Sequence, residues 1–446
     1  MFALAMRSVR KRPGRSVATL LAAFLGATIT MTFFSLQDTA GAPATDAVSA
    51  ETLSITAGVV GGYGSLLVFF AIASTLTVNV RQRGEEIALL RRTGATPAQL
   101  KRMIVGEAAV VAVVATLLAV WPAMLGGEAL LGVFQDSGQV AHSVDHVFGP
   151  LALSAGFSVT LIASAGAALL AVRRATKAAA GSAGSAGAPR NRLRNTAGFA
   201  ALLIGVGGLG TTFAIDPAAP ALMAAPTWGA IMLSVGFATF SPSILRGLLG
   251  VLRWPITMVA GASGYLTVRN MRRRATQLAG VLMPLILFTG VATATLYIQA
   301  VESDAITASG IAKSVDDKNV ETVNLVVVGI IVVFSCIMLI NSLYAATSYR
   351  GREFGQQRLA GATPKQVLGM VGTEGVLLTL IGVFFGTVAG AAGLLAFTAV
   401  RTDQVVPDQS LAVWIGITAV GAAATLLTSL GTARRVLRVP AIVAVA

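Results

Sequence analysis

Ten apolar runs, each long enough to cross a bilayer, divide the sequence, and no other feature constrains the fold as much. They fall at about residues 16–36, 57–80, 102–125, 149–172, 196–215, 222–245, 276–299, 322–347, 367–398 and 410–433. Charged residues make up only 12% of the 446 and mean hydropathy is +0.78, against about 25% charged residues in a soluble domain. A chain with so few charges cannot cover its surface with polar groups, so lipid is its natural solvent. In lipid every backbone N–H and C=O is satisfied within the chain, which for runs of this length means helices. The predicted fold class is therefore an all-α polytopic membrane protein with ten transmembrane helices. The run at 16–36 follows five basic residues between Met1 and Arg15 and is too long for the apolar core of a cleavable signal, so it reads as the first spanning helix. The ninth run is long enough to tilt or to continue past the membrane surface as a stalk.

Charge gives the orientation. With the N-terminus in the cytoplasm, 30 of the 33 Lys and Arg fall in inner loops and 14 of the 19 acids in outer ones. The basic exceptions are Lys313, Lys318 and Arg401. One misplaced span would scramble this sorting, so it supports both the count and an orientation with both termini inside. The net charge of +14 is thus explained without nucleic acid, because the basic residues lie in short clusters between apolar runs. Residues 181–195 include GSAGSAGAPR and read as a flexible cytoplasmic linker. The stretch Arg246–Arg269 is amphipathic, holds Trp254 and Tyr265, and is expected to lie along the inner interface; residues 1–10 read the same way.

Catalytic chemistry is missing from the sequence. No G-x-x-x-x-G-K-[ST], G-x-S-x-G or H-E-x-x-H occurs, so the chain is not expected to be an enzyme or to hold ATP itself. Cys336, the single cysteine, lies in an apolar run and has no disulfide partner within the chain. His142 and His146 share one loop at i, i+4, which is two ligands short of a good metal site, and no metal or other cofactor is expected.

An internal repeat carries the functional signal. Residues 83–107, RGEEIALLRRTGATPAQLKRMIVGE, align without gaps with residues 350–374, RGREFGQQRLAGATPKQVLGMVGTE, at an offset of 267, with 11 identities in 25. Such matching marks a duplication. Each copy follows the second span of its half on the cytoplasmic side. The halves are spans one to four and seven to ten, joined by two linking helices, and six spans between matched positions make the repeat parallel. The predicted organisation is a first half at 1–180, the linker at 181–195, linking helices and interfacial segment at 196–260, and a second half at 261–446. Within each copy, Gly94 and Gly361 fit a helix C′ position, Thr96 and Thr363 a helix N-cap, and Pro97 and Pro364 a first turn. Each copy therefore reads as a short helix, a sharp turn and a rising helix, with Glu107 and Glu374 roughly 15 Å up the latter.

At these residues the chain resembles the FtsX-like permease family, the MacB-type (type VII) ABC transporters. The family's cytoplasmic loop reads approximately R-x-x-E-I-G-x-x-R-A-x-G-A-T at this place, and Leu90 and Arg92 depart from it little. AVRRATKAAA from Ala171 and TARRVLRVPAIVA from Thr432 are similar to its closing A-R-R-A-x-x-x-x-P-A. The ten-span plan resembles the single-chain permeases of bacitracin-type peptide resistance systems. The resemblance implies the permease subunit of an ATP-binding-cassette transporter in a bacterial inner membrane. Such a subunit couples ATP hydrolysis by a separate ATPase to export or membrane extraction of a hydrophobic or amphipathic compound or peptide. The alternative is a mechanotransmission or signalling protein driven by the same ATPase without moving a substrate. Two ATPase copies, holding the ATP and magnesium, are the implied partners, with room for a membrane or extracytoplasmic accessory protein.

The resemblance also implies which residues couple to the ATPase. They are Glu86, Ile87, Leu90, Arg91, Gly94 and Ala95 in the first segment, and Glu353, Phe354, Arg358, Gly361 and Ala362 in the second. Ile87 and Phe354 are the expected apolar anchors in a partner's groove, the alternative being that both pack back on the stalk helices; Arg91 and Arg358 are the expected partners of acids on the ATPase rim. For Glu107 and Glu374 the expectation is an ion pair with a stalk arginine, or a part in coupling. Three features depart from the family. The outer loops, roughly 37–56 and 300–321, are too short for a large external domain. They carry Asp38, Asp46, Glu51, Glu302, Asp304, Asp316, Asp317 and Glu321, which read as solvated charge or as groups facing a cationic substrate. Gly355-Gln356-Gln357 stands where the first copy has Ala88-Leu89-Leu90. The glycines Gly205, Gly207, Gly208, Gly382, Gly386 and Gly390 are expected at close helix contacts, and Pro122, Pro284 and Trp121 at kinks or interfacial anchors.

Overall fold

The computed structural model describes residues 13–61, 89–90, 92–180, 188–217, 220–308, 350–402, 404 and 409–445, with scattered positions between 65 and 76 and between 329 and 347. Among these residues the regular structure is helical, without a strand. Contacts divide the described helices into two units.

The first unit holds α1 (Pro13–Ala40), α2 (Ala47–Thr56, continuing into a π turn at Ala57–Gly61), α3 (Pro97–Asp136) and α4 (Pro150–Ala180). The long helices α1, α3 and α4 pack pairwise against one another. The reason is a stripe of small residues. Ala108, Ala112, Ala115, Ala119 and Ala123 recur every three or four residues on α3 and are all buried, as are Ala22, Ala23 and Ala27 on α1. Without a hydrophobic force between helices in lipid, such stripes hold them by close approach.

The second unit holds α5 (Ala188–Thr212), α6 (Ala224–Val251), α7 (Arg253–Arg273), α8 (Ala275–Ala308), α9 (Gly351–Leu359), α10 (Pro364–Arg401), α11 (Ala412–Leu437) and α12 (Ala441–Val445). Helix α8 is its centre, packed by α6, α10 and α11, and 83% of its apolar stretch is buried. The glycines of α10 make that possible. A Cβ on Gly386 would stand 2.6 Å from Cβ of Thr289 and 2.9 Å from the carbonyl oxygen of Ile286, and one on Gly390 would stand 2.8 Å from that of Gly290. Gly382 meets Leu285 in the same way. The linking helices α5 and α6 pack on each other, through Gly205 and Gly208 against Gly229, and α6 packs on α8 and α10. Gly207 departs from expectation, since a side chain there would meet open space.

Seven described helices are long and apolar enough to cross a membrane: Thr19–Ala40, Ala98–Asp136, Pro150–Leu169, Ala224–Val251, Leu278–Ala308, Pro364–Arg401 and Ala412–Leu437. They make the chain a polytopic all-α membrane protein. Of the other three expected runs, those at 57–80 and 322–347 lie largely outside the described residues. The third is the glycine-rich α5, which forms a helix but is not among the seven. That helix begins at Ala188, so residues 188–195 of the expected linker are its first turns, with Pro189 where a helix start tolerates proline. Helix α3 runs on to Asp136, past the expected end at 125.

Candidate functional site

The two copies of the repeat fold into two helical elbows with matching local chemistry. In the second, α9 ends at Leu359 with Ala360 as its C-cap, and Gly361 follows with φ of +96°, a conformation open to glycine at little cost. The N–H of Gly361 donates to the carbonyl of Arg358 at 3.1 Å and that of Ala362 to Gln357 at 2.9 Å. These two bonds are a Schellman closure, which satisfies carbonyls that a helix end leaves bare. Thr363 then caps α10: its hydroxyl accepts from the N–H of Gln366 at 3.3 Å, and the Gln366 side chain accepts from the N–H of Thr363 at 2.8 Å. The first copy repeats this. Gly94 has φ of +94°, the N–H of Ala95 donates to Leu90 at 2.9 Å, and Thr96 and Gln99 form the same reciprocal pair ahead of Pro97. The helices that rise from the elbows, α3 and α10, are the longest described, at 40 and 38 residues. Sequence reasoning misses the capping role of Gln99 and Gln366, for which the spacing T-x-x-Q is the available signal.

An ionic chain, buried at its Arg350–Glu374 end, lies inside the second elbow. Arg350, just before α9, ion-pairs with Glu374 on α10 through one guanidinium nitrogen, and its other terminal nitrogen reaches the second carboxylate oxygen at 3.1 Å. Both side chains are almost wholly buried, at 6% and 7% exposure. Arg350 also contacts Glu353 through Nε and a terminal nitrogen, each at 3.2 Å, and Glu353 is ion-paired in turn with Arg274 at the junction of α7 and α8. The Arg350 guanidinium lies over the ring of Phe354, 4.9 Å from its centroid. Beside the chain lies a cavity of about 20 Å³, bounded by Arg274, Thr347, Arg350, Glu374 and Ser429 and by the apolar Leu278, Leu343, Val371 and Leu378. Four charges from α9, α10 and the segments before α8 and α9 are thus tied together where α10 rises from the elbow.

Compared with known protein families, residues 58–180 and 325–441 each match the FtsX-like permease C-terminal domain, together more than half of the chain. The chain belongs to the FtsX-like permease family. The two matches begin 267 residues apart, the offset of the repeat, so each half of this permease contains one copy of the family domain. The family is one of membrane components of ABC transporters, and its members typically work with an ABC ATPase. A search of curated proteins finds no match to this permease.

The structure redistributes the roles expected of the permease's coupling residues. Phe354 is 1% exposed, packed against Val367, Met370, Val371 and Ala433, so it is the core of the elbow and not a side chain offered to a partner. Arg358 donates to the carbonyls of Leu437 at 3.2 Å and Val439 at 2.7 Å, where α11 has run out of intrahelical donors, so it is engaged within the chain instead of reaching for a rim acid. Glu353 is held by Arg350 and Arg274, Gly361 and Ala362 form the turn, and Leu359 is the large apolar side chain that the segment leaves exposed. In the first segment Glu86, Ile87 and Arg91 lie outside the described residues. Leu90, Gly94 and Ala95 form the turn, with Leu89 63% exposed beside them. Glu107 is partly buried on α3, one repeat away from Glu374.

The acids of the loops expected on the outer side are also engaged in part. Asp38, near the end of α1, accepts from the N–H groups of Gly149 and Leu151 at 3.1 Å and Ala152 at 2.8 Å, capping α4 from a neighbouring helix. Asp46 caps α2 through the N–H of Ser49. Glu302 forms a two-pronged pair with Arg401, both contacts at 2.8 Å, which gives a partner to one of the three basic residues that the charge sorting leaves as exceptions. His146 sits 3.0 Å from the Ser35 hydroxyl, and burial holds its imidazole below the ordinary pKa despite Glu128 and Asp38 nearby. Among the described residues no group of three His, Cys, Asp or Glu is placed to hold a metal.

Proposed function

We propose that this permease couples ATP hydrolysis by a separate ATPase to export, or extraction from the membrane, of a hydrophobic or amphipathic compound or peptide. Two ATPase copies dock at the two elbows. The observation that carries this reading is the pairing of the family match with the duplicated elbow: two identical turns, each at the foot of the longest helix of its half. A partner whose two copies move together needs two equivalent handles on one chain. The elbow surfaces that remain for docking are the exposed turns and the apolar side chains beside them, Leu89 in the first copy and Leu359 in the second. An apolar side chain on a short exposed helix end fits a groove in a partner.

The test is co-purification with an ABC ATPase encoded beside the permease, followed by ATPase assays in lipid with a panel of amphipathic compounds and peptides. The expected result is a complex of one permease to two ATPases whose hydrolysis rises with a subset of the panel. Leu89→Asp with Leu359→Asp is expected to abolish the complex while the permease still elutes as a single species. Retention of the ATPase at wild-type level by that double variant removes the elbows from the interface. A complex that forms and hydrolyses ATP without response to any compound favours signalling by motion without transport.

A further inference from the structure

Helix α7 carries a cationic pocket that neither the coupling chemistry nor the family match uses. We propose that this pocket binds the phosphate of an anionic membrane lipid. The inference rests on the chain being a multi-pass membrane protein and goes beyond its coupling to an ATPase.

The location comes first. Helix α7 joins α6 to α8, two helices that each cross the bilayer, so it begins and ends at one face of the membrane. Its outward residues are those of an interface. Trp254 is 71% and Met258 67% exposed, one turn apart, while Val268 and Met271 are buried against the protein. Tryptophan is favoured at the headgroup level, where an apolar ring meets a wet edge.

The pocket lies on the same helix. It measures about 250 Å³ and is lined by Arg253, Tyr265, Val268, Arg269, Arg272 and Arg273. The guanidinium of Arg253 stands over the Tyr265 ring, 5.3 Å from its centroid, and Arg269 donates to the Tyr265 hydroxyl at 3.4 Å. The tyrosine therefore holds two arginines, one at its face and one at its hydroxyl. Arg269, Arg272 and Arg273, at i, i+3 and i+4, share one helix face. No carboxylate lines the pocket, and among the described residues none of the four arginines is paired with one. Arg274, the next residue, is by contrast committed to Glu353.

Four guanidinium groups without counter-charge repel one another, and an anion between them relieves that cost. The planar fork of arginine matches the oxygens of a phosphate, to which it can donate in pairs. A soluble anion would have no use for the exposed Trp254 and Met258 beside the pocket; a lipid lays its acyl chains there. Anionic lipids concentrate at the membrane surface, where each basic residue adds about 1 kcal/mol of attraction, or about fivefold in affinity.

The test uses the full-length permease in detergent, stripped of lipid and titrated with phosphatidylglycerol or with phosphatidylcholine of the same acyl chains, with bound lipid counted by native mass spectrometry. The wild-type chain is expected to retain phosphatidylglycerol in preference. Arg253→Gln/Arg269→Gln/Arg273→Gln is expected to lose about a hundredfold of that preference, at about fivefold per arginine. The control Arg434→Gln/Arg435→Gln/Arg438→Gln removes equal charge from the end of α11 and is expected to keep it. Equal retention of the two lipids by the wild type overturns the proposal, as does an equal loss in the two triple variants. Displacement of the lipid by millimolar inorganic phosphate would assign the pocket to a soluble phosphate and overturn it as well. Should the α7 variant fail to elute as a single species, Arg269→Gln alone and the wild-type competition decide between the same outcomes.

Discussion

Arg350 shows what a single side chain does in this permease. It satisfies Glu374 in a place from which water is nearly excluded, braces Glu353, and covers the ring of Phe354. A buried ion pair adds little net stability over well-packed apolar residues, yet removing one partner strands the other charge, at a cost of about 3–5 kcal/mol. Glu374→Leu and Arg350→Met are therefore each expected to lower stability by about that amount, and the double variant to recover most of it. Thermal unfolding of the detergent-solubilised permease would check this; additive losses in the double variant would show that the two residues do not act as a pair. His146 gives a second expectation. Its folded pKa lies below the ordinary value because burial disfavours the charged ring. On acidification the unfolded chain takes up the proton first, so the contribution of His146 is complete above about pH 6.5 and is lost below it. Between about pH 7.5 and 5.5 the wild type is expected to lose more thermal stability than His146→Gln; parallel losses in both would remove His146 as the cause.

The elements divide into those whose geometry is written locally and those that a partner decides. The elbows are of the first kind. Glycine, alanine, threonine and proline in succession encode a helix stop and a helix start in a stretch too short for tertiary contacts to overrule, and both copies obey. Phe354 is of the second kind. An apolar residue flanked by charges reads alike whether it anchors a partner or fills a core, and Ala433, far along the chain, settles the matter by covering it. Arg358 is obscure in the sequence for the same reason, since the carbonyls it serves belong to α11 and the turn beyond it. The glycines fall between the two kinds. Gly382, Gly386 and Gly390 repeat every four residues, which announces a stripe, whereas Gly207 sits among other glycines with nothing to say which of them faces a neighbour. The two cases separate by experiment. Gly386→Leu is expected to force α8 and α10 apart and to lose several kcal/mol or the fold itself, while Gly207→Leu, entering open space, is expected to stay within about 1 kcal/mol of the wild type. Comparable loss in both, by thermal unfolding in detergent, would place Gly207 in a packed seam.

For the whole molecule, the sequence is most legible where bilayer physics is least forgiving. Long apolar runs have to be helices, and an ungapped internal match marks a repeat, so the class and the duplication follow from pattern alone. The count of spans is harder to read, because glycine lowers the apolar content of a helix such as α5 below that of the seven spanning ones. The orientation makes a direct prediction. In a Cys336→Ser background, single cysteines at Gln99 and Gln366 are expected to resist an impermeant thiol reagent on whole cells, and one at Ala47 to react. Labelling at Gln99 from outside would reverse the orientation of the permease.

The length of α10 has a mechanical consequence. At 38 residues it is about 57 Å long, roughly twice the thickness of the hydrocarbon it crosses, at about 30 Å. Were it held near its middle, it would act as a lever with two arms of similar length. A turn of about 10° about that pivot carries either tip about 5 Å, close to one helical pitch. The glycine stripe packs α8 closely against the same helix, so the two would swing together. A push applied at Thr363 would then be felt, with its direction reversed, at the other end of α10, where Arg401 and Glu302 tie α10 to α8.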